Sequence, residues 1–423
     1  MPVTDWPVEE GEDAALLHAV LQVFSQARSE RSAPLRFGVA VSGGGDSVAL
    51  LHLMSRCAAQ AGGTLFAATV DHGLRAEAPA EAAQVAALCA GLGVPHQTLH
   101  WTGRQATGNL MDQARRARVR LIADWARSLA ISDVALGHTA DDQAESFLMN
   151  LSRAAGLAGL SGMRRAWDED GVRWHRPLLA QSRADLRAYL RRNNIAWIDD
   201  PSNDNDRFAR VKARRALAAL KPLGITVARL NTTVHNLSMA QSALQWATEK
   251  AAEAITETAG ALRLEWRDMR LLPEDIRRRL LIAMIRWMNG AAYPPREAQL
   301  CQLERALDAG RDATLGGVRF RQRAGGVMVT RELRAVDGER AVGQLWDNRW
   351  IVSGSHGGQV RALGTEGLAQ VKTWRAADIA RDVLTVSPAV WHGDRLVSAP
   401  LLGFGTGYEV RLAPSFGLFL LSH

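Results

Sequence analysis

The chain has 423 residues, 47% hydrophobic and 22% charged, which is enough for two or three domains of about 150 residues each. That composition excludes a disordered chain. Three cysteines without close spacing (Cys57, Cys89, Cys301) exclude a disulfide scaffold, and the lack of an apolar run of about 18 residues or a basic leader excludes a transmembrane helix and a secretory signal, so the expected compartment is the cytoplasm. Basic residues outnumber acidic ones 51 to 44, and only Lys212, Lys221, Lys250 and Lys372 of them are lysines; an arginine-dominated surplus suits a phosphate-rich partner, although an arginine-biased genome gives the same ratio.

In chain order, residues 13–29 have helical periodicity. Residues 36–41, RFGVAV, read as a buried strand, followed by Ser42-Gly43-Gly44-Gly45-Asp46-Ser47 and an apolar helix. A strand at 64–70 ends in Asp71-His72-Gly73, and an alanine-rich helix covers 79–91. A weak strand at 96–99, a basic helix at about 109–130, a strand at 133–138 and a helix at 140–152 complete the series. Strands alternating with helices predict an α/β fold with a parallel, doubly wound, Rossmann-like sheet. Ligands in such sheets bind at the carboxyl ends of the strands, where SGGGDS, DHGLR and GHTADDQAE all begin.

Beyond residue 155 the pattern predicts a strand at 172–176, a helix capped by Ser182, a polar turn at Asp199-Asp200-Pro201 and a short basic helix. One helical pattern runs from 226 to about 258, and further helices fit 272–289 and 295–309. From about 313, β-branched runs and paired glycines suggest hairpins. The expected domains are a catalytic domain at 1–222, a mainly helical one at 223–335 and a small β-rich module at 336–423.

A glycine-rich turn between a strand and a helix exposes backbone N–H groups at the positive end of the helix dipole, which makes a phosphate cradle. Ser42 and Ser47 add hydroxyl donors. The turn is neither a Walker A loop, for it has no lysine, nor a GxGxxG fingerprint. Asp46 is out of place in an anion site unless a divalent cation such as Mg²⁺ bridges it to the phosphates. His138 ends a strand. Asp142 and Glu145, three apart at a helix start, can both point into the crevice, although acidic residues there also answer the helix dipole, the better account of Asp141. Arg115 and Arg118 share one face of the basic helix, facing either a charged ligand or solvent.

The SGGGDS loop resembles the SGGxDS signature of the PP-loop N-type ATP pyrophosphatases, which cleave ATP to AMP and pyrophosphate. Together with Asp71-His72-Gly73-Leu74-Arg75, the 137–145 segment, Arg176-Pro177-Leu178-Leu179 and Asp199 to Asn203, it resembles the tRNA(Ile)-lysidine synthases over about residues 36–215. The resemblance implies ATP on Ser42, Gly43, Gly44, Gly45, Asp46 and Ser47 with His72 at its border, and Mg²⁺ on Asp46. It implies lysine recognition by Asp142 and Glu145, and catalytic roles for Asp46, His138, Asp142, Glu145 and one of Arg115 and Arg118. Basic residues near the tRNA would be Arg75, Arg207, Arg210 and Arg214. The implied reaction adenylates the wobble cytidine of a tRNA(Ile) with a CAU anticodon and joins lysine to its C2, so that the tRNA reads AUA. Partners are therefore that tRNA and L-lysine, with no membrane; the oligomeric state stays open, a homodimer included. The rival readings are a PP-loop tRNA thiolase, which would want a catalytic cysteine pair, an amide-forming synthetase, which would want an ammonia source, and a nucleic-acid-binding protein without catalysis.

Overall fold

The computed structural model describes residues 11–30, 35–73, 77–102, 110–199, 209–354 and 356–422. Two compact units are present, Met1–Gln241 and Ser242–His423.

The first unit runs α1 (Ala14–Glu30), β1 (Arg36–Ala40), α2 (Gly45–Ala61), β2 (Thr64–Asp71), α3 (Ala78–Gly91), β3 (His96–His100), α4 (Leu110–Ser128), β4 (Asp133–Leu136), α5 (Ala140–Leu151), α6 (Leu157–Leu160), β5 (Ala166–Glu169), β6 (Val172–His175), α7 (Arg183–Arg192) and α8 (Ala209–Leu220), then the start of α9 (Val227–Ala252). Six strands form one sheet in the order β3-β2-β1-β4-β6-β5, parallel except at the β5–β6 edge. β1 and β4 are buried nearly throughout, which is why their sequences are continuous apolar runs rather than alternating ones. One face packs Phe24, Phe37, Leu50, Leu51, Leu53 and Met54; the other packs Ile122, Trp125, Ala126 and Trp174. The chain order reverses between β1 and β4, so the loops after those strands open at the topological switch point, where doubly wound sheets bind ligands.

The doubly wound α/β expectation is met, with three local differences. The strand expected at 133–138 ends at Leu136, because Gly137 to Thr139 turn out of the sheet to enter α5. The edge strand β5 was not expected; it pairs with β6 through Asp170-Gly171, whose φ values of 53° and 75° make a tight hairpin turn. The helical pattern expected to 258 stops at Ala252. The threonine-rich residues that follow form β7 (Thr256–Thr258), which turns through left-handed Ala259 and Gly260 into β8 (Ala261–Leu264).

The second unit continues with α10 (Trp266–Leu271), α11 (Glu274–Asn289), α12 (Glu297–Asp308), β9 (Ala313–Leu315), β10 (Val318–Arg323) and β11 (Gly326–Arg331). Its first sheet has the order β7-β8-β11-β10-β9, and among the hairpins expected after about 313 is β10–β11, which carries Arg319, Arg321 and Arg323. Leu280, Met284 and Met288 of α11 pack with Phe320 and Val329 of that sheet. Two further antiparallel sheets, with strands between Arg340 and Leu412, carry the tail. Residues 346–350 form a hairpin turn through left-handed Asp347 and Asn348, whose Asp347 carboxylate is fully buried against Arg331.

Candidate active site

The loop after β1 is tied to itself. The Ser42 N–H donates to Ser47 Oγ at 3.1 Å, the Ser47 hydroxyl donates to the Gly44 carbonyl at 2.9 Å, and the two serine hydroxyls lie 3.2 Å apart. Gly43, at φ +85°, takes the left-handed conformation the turn needs, and its carbonyl accepts the Ile198 N–H at 2.9 Å. α2 then starts at Gly45 without a side-chain cap. Its first N–H groups are thus left for an anion at the positive end of the dipole.

The loop after β4 supplies the acidic side. Thr139 and Asp142 form a capping box at the start of α5: Thr139 N–H and Oγ1–H donate to Asp142 Oδ2 at 2.9 and 3.0 Å, and Asp142 N–H donates to Thr139 Oγ1 at 3.4 Å. One carboxylate oxygen of Asp142 therefore starts the helix, and the other is free to face the site. Asp142 and Glu145 share one helical face as expected, and both are buried, Glu145 to 1% exposure.

One cation joins these groups. Arg183, the first residue of α7, donates from Nε to Asp46 Oδ2 at 3.1 Å, from one terminal nitrogen to Glu145 Oε1 at 3.1 Å, and from the other to Asp142 Oδ1 at 3.4 Å. Its backbone N–H donates to Asp141 Oδ2 at 2.8 Å. Asp141, read in the sequence as a dipole residue, thus anchors the start of α7. From α8, Arg214 Nε donates to Glu145 Oε1 at 2.7 Å, and Arg210 lies 3.9 Å from Asp142 Oδ1. Glu145 Oε2 is buried and accepts no hydrogen bond among the described residues.

The charges set the protonation states. Burial pushes Asp142 up, but the Thr139 amide, Arg183 and Arg210 outweigh it and hold the carboxyl below its usual range. Burial raises Asp46 despite Arg183 beside it. His138 is pushed down to about 3 by burial and by Arg176, whose Nε–H donates to its Nδ1 at 3.0 Å. The ring is therefore neutral with its proton on Nε2, a donor rather than a cation. Arg176 is itself stacked over Trp167 at 4.0 Å. Arg118 is lowered by burial and by the charges of Arg210 and Arg115, and its own charge lowers His72 and His138; it belongs to the crevice, whereas Arg115 is exposed. His72 stands edge-on to Trp101 at 5.9 Å, with its Nδ1 buried and unpartnered among the described residues.

Asp46, Asp142, Glu145 and His138 thus come together beside the loop, with Arg118 near them. Arg210 and Arg214, expected beside the tRNA, turn their side chains onto the site carboxylates. Arg75 and Arg207 lie outside the described residues. Arg183 and Arg176 were missed as site residues. The cue for Arg183 was its place: a cation at the first position of a helix opposes the dipole and needs a specific partner.

No group of three or more His, Cys, Asp or Glu among the described residues could hold a metal by itself. Mg²⁺ asks for less, one or two carboxylates beside phosphate oxygens, and Asp46 at the mouth of the phosphate loop fits that demand.

The state of His138 has a consequence for stability. Its folded pKa, about 3, lies below the ordinary 6.5, so between those values the unfolded chain binds a proton that the folded chain does not. Stability from this group is present above pH 6.5 and is lost as pH falls. Thermal melts are expected to show the wild type losing more stability between pH 7 and pH 5 than His138→Gln; equal losses would refute it.

A family model described as a PP-loop domain matches residues 16–220. A tRNA(Ile)-lysidine synthase from Ruegeria pomeroyi is 46% identical over 92% of this chain and 95% of its own. Those from Hyphomonas neptunium and Rhodopseudomonas palustris are 40% and 38% identical, over 68% and 69% of this chain and 78% and 86% of theirs. The PP-loop domain accounts for the loop after β1, and because the likeness to the first relative runs nearly end to end, the chain belongs to the tRNA(Ile)-lysidine synthase family.

Proposed function

We propose that the chain ligates L-lysine to C2 of the wobble cytidine of a tRNA(Ile) with a CAU anticodon, consuming ATP and releasing AMP and pyrophosphate. The product, lysidine, changes the codon read from AUG to AUA. The observation that carries the lysine assignment is Glu145 Oε2, which is buried and accepts no hydrogen bond among the described residues, on the same helical face as Asp142, whose Oδ1 is held by Arg183 at 3.4 Å. An alkylammonium group has three donors and fits two buried carboxylates.

In this reading the Ser42–Ser47 turn and the uncapped start of α2 hold the ATP polyphosphate. Mg²⁺, held by Asp46, would neutralise charge on the phosphates. The wobble base lies in a single-stranded anticodon loop, so presenting it costs little unstacking. Its O2 attacks the α-phosphorus and pyrophosphate leaves. Arg118 and the Nε2–H of neutral His138 stabilise the charge that develops, and Arg115, further out, meets the tRNA; a tRNA role for Arg75 and Arg207 rests on their sequence motifs alone. A free lysine amine, with a pKa of about 10.4, is protonated at neutral pH and cannot attack. Asp142 and Glu145 bind it as the cation; Glu145 takes one proton, the freed amine attacks C2, and AMP leaves while the second proton on the new C–N nitrogen passes to solvent or to the departing phosphate.

The cysteines weigh against sulfur transfer. Cys57 and Cys89 are buried and pushed up to about 12 and about 11 by desolvation, far from reactive thiolates. No helix among the described residues is long and apolar enough to cross a membrane, and the reaction belongs with cytoplasmic tRNA. The test is incubation with ATP, Mg²⁺, labelled lysine and unmodified tRNA, scoring acid-precipitable label and AMP together. Label in the tRNA that requires ATP is expected. AMP without label would overturn lysine as the nucleophile, and neither product would overturn the enzyme.

A further inference from the structure

Arg183 stands where two cations are wanted. Its guanidinium touches Asp46, which the proposed reaction gives to the metal-bound phosphates, and also Asp142 and Glu145, which it gives to the lysine amine. With Arg210 and Arg214, three guanidinium groups face these three carboxylates, so each carboxylate already has a cationic partner. A lysine ammonium entering this arrangement brings an unbalanced positive charge into a place where Arg183 is 18% exposed and solvent screens poorly. It must also compete with a guanidinium that already spans all three carboxylates.

We propose that Arg183 is a positioning residue that couples lysine binding to nucleotide binding: it is the internal counter-ion of the carboxylates while no nucleotide is bound, and shifts toward the polyphosphate when ATP arrives. The inference rests on the lysine reading of Asp142 and Glu145. The geometry allows the exchange. Arg183 already reaches Asp46, the fifth residue of the phosphate loop, so a polyphosphate on that loop offers it a second anionic partner, and guanidinium pairs with phosphate as readily as with carboxylate. Its anchors stay fixed meanwhile, because the backbone N–H is bound to Asp141 and Ser182 caps α7 through the Asp185 N–H. Only the side chain has to move. Release of Asp142 Oδ1 and of one hydrogen bond to Glu145 then opens the lysine site after the nucleotide is in place, so that amine and activated base meet in that order.

The test is calorimetric titration of lysine into the full chain, with and without a non-hydrolysable ATP analogue and Mg²⁺. For the wild type, the analogue is expected to tighten lysine binding by about tenfold, within the usual range of coupling between sites. In Arg183→Met, lysine is expected to bind without the analogue about as tightly as it binds the wild type with it, and the analogue should change its affinity by less than about threefold. Arg183→Lys, which keeps the charge but cannot span three carboxylates, is expected to fall between and decides the matter if the methionine variant does not fold. Wild-type binding that ignores the analogue, or either variant retaining the full coupling, would overturn the role of Arg183. Failure of every form to bind lysine under any condition would instead overturn the lysine site, and this inference with it.

Discussion

Glu145→Gln is expected to lower lysine incorporation into tRNA by about a thousandfold while the fold survives. The side chain is 1% exposed and its Oε1 takes hydrogen bonds from both Arg183 and Arg214, at 3.1 and 2.7 Å. Glutamine keeps the shape, but its neutral amide leaves those guanidinium groups without their counter-charge. Breaking one side of a buried ion pair costs about 3–5 kcal/mol of stability, so the variant should also melt lower. The same change removes the acceptor for the amine proton, and a positioned general base contributes about a hundred- to ten-thousandfold to the step that uses it, which brackets the thousandfold expected here. Adenylation of the base needs neither, so pyrophosphate release with tRNA and ATP should fall much less than lysine transfer. Measuring both on one preparation, with a circular dichroism spectrum as the fold control, separates the outcomes. Equal losses of the two products would remove Glu145 from the lysine step.

The sheet and the site's acidic half were legible in the sequence for physical reasons. A strand buried on both faces is a continuous apolar run, and RFGVAV and DVALGH are such runs. Punctuation by SGGGDS marked the end of the first, whereas the second was read through His138, two residues past its end at Leu136. The helical face that carries Asp142 and Glu145 follows from their spacing alone. What stayed illegible was whatever depends on contacts distant in sequence. Arg183 meets Asp46 across 137 residues, and no local pattern announces that. The dual use of Asp142 was half legible. The helix-dipole reading and the binding reading looked like alternatives, yet one oxygen serves the capping box and the other faces Arg183. The hairpin at Asp170-Gly171 carried a recognisable turn signal that went unread, and the helical pattern past Ala252 outran the helix because periodicity alone cannot tell a threonine-rich strand from a helix end.

Gly137→Val is the second large effect, and it concerns packing rather than charge. Gly137 has an ordinary φ, so backbone strain does not demand glycine there. Space does. A Cβ at this position would lie 3.0 Å from both the Asp46 carbonyl oxygen and Ser47 Cα, and 3.1 Å from the Asp46 carbonyl carbon. These are main-chain atoms of the phosphate loop, which cannot swing aside as a side-chain tip can. The end of β4 and the start of α2 must separate, and the two further methyl groups of valine enlarge the gap. Gly43→Ala makes the useful contrast: its Cβ would meet Ile198 Cδ1 at 2.6 Å, a movable methyl, although the φ of +85° adds strain of about 1–2 kcal/mol. Overpacking at Gly137 should cost about 1–3 kcal/mol of stability. The loss of function should be larger, because the contact is between the two loops that place phosphate donors and carboxylates against each other. A misplacement of about 1 Å is enough for about a hundredfold. Gly137→Val is therefore expected to lose about a hundredfold or more in kcat/KM for ATP, with a modest fall in Tm, and to bind the nucleotide more weakly by titration. If activity fell only in proportion to the folded fraction, the close approach of Gly137 to Asp46 and Ser47 would be packing without consequence for the chemistry.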